Sequence, residues 1–107
     1  MNIQLKKGVL ELCVLALLEK RDCYGYELVQ ELSSHIEISE GTVYPLLRRL
    51  GKEEYFTTYL QESSEGPPRK YYQLLEKGKQ YLYLLIEEWT QLAKGVNYFI
   101  QGGDENA

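Results

Sequence analysis

Apolar residues recur at helical spacing along most of the chain, with one break in the middle. In residues 5–20, Leu10, Leu12, Val14, Leu15, Leu17 and Leu18 surround the predicted helix almost completely. A helix apolar all round is buried on most sides, and so much apolar surface implies a partner chain as well. Residues 21–23 read as a turn. Residues 24–34 form a second helix with Leu28, Val29 and Leu32 inward. Gly25 weakens its start and lets the backbone approach a neighbour or a phosphate. Residues 35–38 connect to a third helix at 39–52, SEGTVYPLLRRLGK, which has two faces. Val43, Leu46, Leu47 and Leu50 fall on one, and Thr42, Tyr44, Pro45, Arg48, Arg49 and Lys52 on the other. The hydroxyl of Ser39 suits an N-cap. Pro45 lies beyond the first turn and predicts a kink. Gly51 reads as a late breaker, with fraying expected near Glu54.

The pattern then changes. Residues 55–61 (YFTTYLQ) are aromatic and β-branched and read as a strand; 62–68 (ESSEGPP) are all turn formers; 69–75 (RKYYQLL) return. A two-stranded hairpin is marginal alone and must lean on the helices. Tyr71 and Tyr72 alternate across it, so one is expected to be buried. Residues 76–101 form one long helix in which Gly78, Leu82, Leu85, Trp89, Leu92, Val96 and Phe99 make a heptad seam, widened by Tyr81, Leu84 and Ile86. Residues 102–107 are expected to form a disordered polar tail. The fold class is therefore mostly α (α+β). Three short helices followed by a hairpin is the order of a winged helix-turn-helix, assigned to residues 1–75. Residues 76–101 would be the dimerisation helix, joined in that role by 1–20.

At 107 residues the chain is one domain. The net charge of −4 and a pI near 5.0 argue against a general polyanion binder. Up to Leu75 there are nine Lys and Arg against eleven Asp and Glu, so any basic surface must be assembled by folding. Ten tyrosines suit interfaces, where a ring with a polar tip faces two environments. Glu11 and Glu19 and the lack of a small-residue cleavage site speak against a signal peptide, and no apolar run approaches a membrane span. A cytoplasmic location is expected. Cys13 and Cys23 are too few for a disulfide scaffold; buried thiols are the expectation and a redox pair the alternative. His35 is the only histidine and has no metal-spaced companion. No nucleophile–His–acid set, Gly-rich phosphate loop or metal cluster is present, so no enzyme, cofactor or metal is expected.

A helix of the third one's width fits the major groove of DNA. Thr42, Tyr44, Pro45 and Arg48 are the candidates for base-edge or groove contact. Arg49, Lys52, Arg69 and Lys70 are the candidates for phosphate, with a salt bridge within the helix the alternative for Arg49. The seam candidates for a homodimer are Leu82, Leu85, Trp89, Leu92, Val96 and Phe99. Trp89 is more naturally interface core than a ligand platform, yet two copies across a two-fold axis could sandwich a flat molecule.

Three segments carry a specific resemblance: YGYEL at 24–28, GTVYPLLRRL at 41–50 and GPPRKYYQL at 66–74. With the Trp89 helix they cover nearly the whole chain and resemble the short subclass of the PadR family of bacterial transcriptional regulators. The resemblance implies a homodimeric winged-helix repressor that dimerises through its C-terminal helix and in some members responds to small aromatic or drug-like effectors; two-fold symmetry then predicts an inverted-repeat operator. Two departures stand out. Leu74-Leu75-Glu76-Lys77-Gly78 lacks the usual Thr at the opening of the last helix, and Leu50-Gly51-Lys52 replaces the usual Leu-Glu-Lys. A winged-helix protein-interaction module without DNA binding and a small-molecule sensor are the competing readings.

Overall fold

The computed structural model describes residues 3–103. Helix α1 (Ile3–Lys20) leads through a two-residue strand, β1 (Cys23–Tyr24), into α2 (Gly25–Ser33) and α3 (Glu40–Lys52). The hairpin β2 (Phe56–Ser63) and β3 (Gly66–Leu74) precedes α4 (Glu76–Ile100). The sheet is antiparallel in the order β1-β3-β2. This is the winged helix-turn-helix order with a long terminal helix. No helix among the described residues is long and apolar enough to cross a membrane.

The core forms where the helical stripes meet. Leu10, Val14, Leu15 and Leu18 of α1 pack against Leu28 and Leu32 of α2 and Val43, Leu46, Leu47 and Leu50 of α3. Phe56 and Tyr72 close it from the sheet, their rings edge to face at 5.2 Å. Both cysteines are free. Burial pushes the Cys13 and Cys23 thiols up, away from the reactive thiolate.

Several expectations need correction. Residues 21–23 are not simply a turn, because Cys23 and Tyr24 pair with Tyr72 and Tyr71 of β3. The hairpin turn is shorter than 62–68. Ser63 pairs with Gly66, a register shift follows Gln61, and both prolines lie within β3. Adjacent backbone nitrogens point to opposite flanks: one proline faces the flank that β1 does not reach, and the other faces β2 where the ladder is interrupted between Gln61 and Ser63. Ser39 precedes α3 in extended conformation, but its side chain makes no capping bond. Gly51 does not break α3; a Cβ there would sit 3.3 Å from the Phe56 ring, so the glycine makes room for it. At the far end, Gly102 and Gly103 take positive φ and close α4, Gly103 N–H donating to the Tyr98 carbonyl at 2.6 Å. The rest of the expected tail, 104–107, lies outside the described residues.

Helix α3 ends in a defined reversal rather than a fray. Tyr55 N–H donates to the Leu50 carbonyl at 3.3 Å and Glu54 N–H to that of Gly51 at 3.0 Å, the paired bonds of a Schellman cap. Glu54 holds the left-handed position at φ 61°, where a side chain is strained and glycine is not. Glu54→Gly is therefore expected to raise stability by about 0.5–1 kcal/mol in denaturant unfolding. An unchanged or lower midpoint would show the cap to be unstrained.

This reversal anchors α4. Leu75 N–H donates to the Tyr55 carbonyl at 3.0 Å, and Lys77 Nζ to the Glu53 carbonyl at 2.7 Å. Tyr55 and Tyr81 stack at 4.4 Å. Gly78 and Leu82 are buried inside this junction. Both were expected on the dimer seam, and both belong to the chain's own core. Beyond them α4 outruns the rest of the molecule, which extends 62 Å along its long axis. Trp89, Leu92, Val96 and Phe99 are exposed there, and Leu85 is half-buried at the boundary.

Candidate nucleic-acid interface

The apolar stripe of α3 is held in the core, which fixes what its other side presents. At 100° per residue, Pro45, Arg48 and Lys52 lie opposite the stripe. All three are exposed, as is Thr42. Thr42 and Arg49 occupy one flank and Tyr44 the other. Tyr44 is half-buried because it leans on the start of α2. A Cβ on Gly25 would lie 3.1 Å from Tyr44 Cε1 and 3.3 Å from its hydroxyl oxygen. The close approach expected at Gly25 is thus to a side chain of α3. Arg21 steadies the same corner by donating to Glu27 Oε2 at 3.1 Å, while Glu27 Oε1 accepts the Tyr24 N–H at 3.1 Å.

Tyr72 is the point where α3 meets the wing. It is buried on the helix-facing side of β3. Burial pushes its phenol up, Tyr44 adds to that shift, and the nearby Arg48 opposes it. Lys70 is on the same side of the strand two residues earlier, with Nζ 5.7 Å from the Tyr72 ring centroid. Tyr44, Arg48 and Lys70 therefore gather around one ring, although 26 positions separate Tyr44 from Lys70 in the numbering.

Arg69 is not part of this group. Alternation puts it on the opposite face of the hairpin, where its guanidinium lies 4.6 Å from the Tyr24 ring centroid. Tyr24, Tyr71 and Tyr59 line up across the three strands at 5.5 Å intervals. Tyr59 donates to Asp22 Oδ2 at 2.7 Å, and that bond is the main reason its phenol is pushed up to about 12. Of the two phosphate candidates on the hairpin, Arg69 and Lys70 thus lie on opposite faces, as neighbouring strand residues do. Tyr71 packs within the tyrosine row.

Arg49 is engaged elsewhere. Its guanidinium pairs with Oε1 of Glu11 in α1. The other carboxylate oxygen accepts the Tyr81 hydroxyl of α4 at 3.0 Å. Burial, then the bond to Glu11, push the Tyr81 phenol up to about 12, so it stays a donor throughout the neutral range. The salt bridge expected for Arg49 within α3 is not the one formed: its partner is on another helix, α1. Glu11 is the one buried charged side chain among the described residues. The available signal was a lone carboxylate in line with Leu15 and Leu18 on an apolar helix.

The transcriptional-regulator family model described as PadR-like matches residues 14–84, two thirds of the chain. The chain belongs to the PadR-like family of transcriptional regulators. Its members are DNA-binding regulators, not enzymes. Among solved structures, a PadR-like transcriptional regulator from Bacillus cereus is 41% identical, with 92% of this chain and 97% of that one covered and a TM-score of 0.83. A protein from Streptococcus mutans is 34% identical, with 92% of each chain covered and a TM-score of 0.85. An uncharacterised protein of Lysinibacillus sphaericus is 36% identical over 100 residues, which is 90% of this chain and 92% of that protein. Among the described residues of this regulator, no group of three or more His, Cys, Asp or Glu side chains could hold a metal.

Proposed function

We propose that the regulator is a homodimeric, sequence-specific repressor of an inverted-repeat operator. The observation that carries this is the convergence of Tyr44, Arg48 and Lys70 on Tyr72. It puts a rigid aromatic and two cations from separate elements beside the exposed side of α3. In this reading α3 enters the major groove, Arg48 reads a base edge with Thr42, Tyr44 and Pro45 along the groove, and Lys52 and Lys70 contact phosphates. Arg69, on the far side of the hairpin, serves the wing's own packing. Homodimerisation is supported by the apolar side chains that α4 leaves uncovered beyond Leu85. Two-fold symmetry would set the paired α3 helices against successive major grooves, roughly 34 Å apart. Footprinting on the DNA upstream of the regulator's own gene tests this. Protection of two inverted half-sites supports it, and protection of a single half-site at saturation contradicts it.

A role for a small aromatic effector rests on a separate observation. An open cleft of about 200 Å³ is lined by Gly8, Val9 and Leu12 of α1 and by Leu85, Glu88, Trp89 and Leu92 of α4. Its walls are apolar and offer a tryptophan ring, as a flat hydrophobic molecule requires. Trp89 is the only tryptophan, so quenching of its fluorescence reports occupancy directly.

A further inference from the structure

Arg49 carries a charge beside the groove-facing side of α3 but spends it inside the protein. From its flank of the helix, next to Thr42, a side chain as long as arginine reaches towards the wall of a groove as readily as towards α1. In the structure it turns to α1. Glu11 grips it with Oε1 and is itself gripped at Oε2 by the Tyr81 hydroxyl. The carboxylate is about nine-tenths buried, while the guanidinium keeps 40% of its side-chain surface exposed. The pair is thus asymmetric: one member is locked in the protein and the other stands at the edge of solvent. A buried carboxylate stripped of its cation is costly, which holds the arginine in place.

We infer that Glu11 is a positioning residue that withholds Arg49 from DNA phosphates and so sets the regulator's affinity below what α3 could reach. The inference rests on the reading of α3 as the DNA-contacting helix. Glu11 touches no DNA; it acts through Arg49. Because its other partner is on α4, the strength of the grip depends on how α1 and α4 are seated against each other, which links the long helix to the charge displayed by α3.

The test uses salt dependence, a readout that a merely structural role would not move. Each phosphate neutralised by a protein cation steepens the fall of log affinity with log salt by about 0.9. Affinity for a random-sequence duplex, and for the duplex upstream of the gene, is measured over a salt series for four chains: wild type, Glu11→Gln, Arg49→Gln and the double variant. Glu11→Gln keeps the shape of the side chain and removes the charge that competes with phosphate. It is expected to bind more tightly at low salt, with a slope steeper by about 0.9, so that the gain shrinks about three- to fourfold between 50 and 200 mM. The double variant is expected to return to the wild-type slope. If Glu11→Gln matches wild type while the double variant is shallower, Arg49 already reaches phosphate and the inference is wrong. Four equal slopes would also overturn it, since Arg49 would then never reach DNA. Should Glu11→Gln lose native helix content, Glu11→Met makes the same charge change with an apolar side chain suited to α1, and the same slopes decide. If wild type binds neither duplex, it is the DNA-contacting reading of α3 that has failed, not the role of Glu11 within it.

Discussion

Gly78→Ala lowers the melting temperature of the regulator by about 10 °C or more. In an ordinary helix interior the change from Gly to Ala stabilises by about 0.5–1 kcal/mol. Here the sign reverses, because the added Cβ would stand 2.0 Å from the Tyr55 carbonyl oxygen and 2.6 Å from Leu74 Cδ1. The Leu74 methyl can turn aside, but the Tyr55 carbonyl is backbone and does not move freely. Tyr55 is tied by its N–H to Leu50 and by its carbonyl to Leu75, and its ring stacks on Tyr81. Relief requires α4 to back away from the α3–β2 reversal, which strips the contacts of Leu82 and Lys77. Overpacking of this kind costs about 3 kcal/mol at its upper range, and for a domain of this size 1 kcal/mol corresponds to about 4 °C. Gly95, with nothing within 4 Å of its added Cβ, is the matched control: Gly95→Ala should stabilise. Thermal unfolding by circular dichroism measures both. Equal and favourable shifts would mean that the α4 junction is looser than drawn.

If the regulator is the homodimer proposed above, Leu92→Asp is expected to abolish that dimer and leave the monomer folded. Leu92 is 51% exposed in the single chain, so an aspartate there meets water and costs the fold little. In a symmetric seam it meets its own copy or an apolar neighbour, and an unpaired charge buried in that setting costs several kcal/mol. Leu92 separates the two effects better than Leu85, which also packs against the chain's own core. Sedimentation velocity on both chains, with helix content as the control, gives the answer. A dimer that persists in Leu92→Asp would remove α4 from the interface, and operator symmetry would then need another source.

Periodicity carried most of the fold. The helices follow from apolar residues at spacings of three and four, and the hairpin from the aromatic and β-branched runs around a cluster of turn formers. What local pattern could not supply was partnership across the chain. Strand β1 is two residues long and exists only because Cys23 and Tyr24 find Tyr72 and Tyr71 far downstream. Glu11 reads as an ordinary acidic residue until folding brings Arg49 and Tyr81 to it, 38 and 70 positions away. The seam of α4 illustrates a different limit. Gly78, Leu82, Leu85 and Leu92 share one period, but the period does not reveal that its first turns pack on the same chain while its later turns stand free. Alternation along β3 did hold the means to separate Arg69 from Lys70, since adjacent strand residues face opposite ways. Grouping both among the phosphate candidates did not use it.

In the proposed function, α3 and the helix-facing side of the wing form one DNA-reading surface with divided roles. Affinity for operator and scrambled duplexes over a salt series, for wild type, Arg48→Ala and Lys70→Ala, tests it most directly. Arg48→Ala should cost about 1–3 kcal/mol on the operator and relax the preference at one position. Lys70→Ala should weaken both duplexes alike and make the salt slope shallower by about one. Both side chains are exposed, so both variants should remain folded. Equal losses on operator and scrambled DNA for Arg48→Ala, with discrimination lost in Lys70→Ala instead, would make the wing, not α3, the reader.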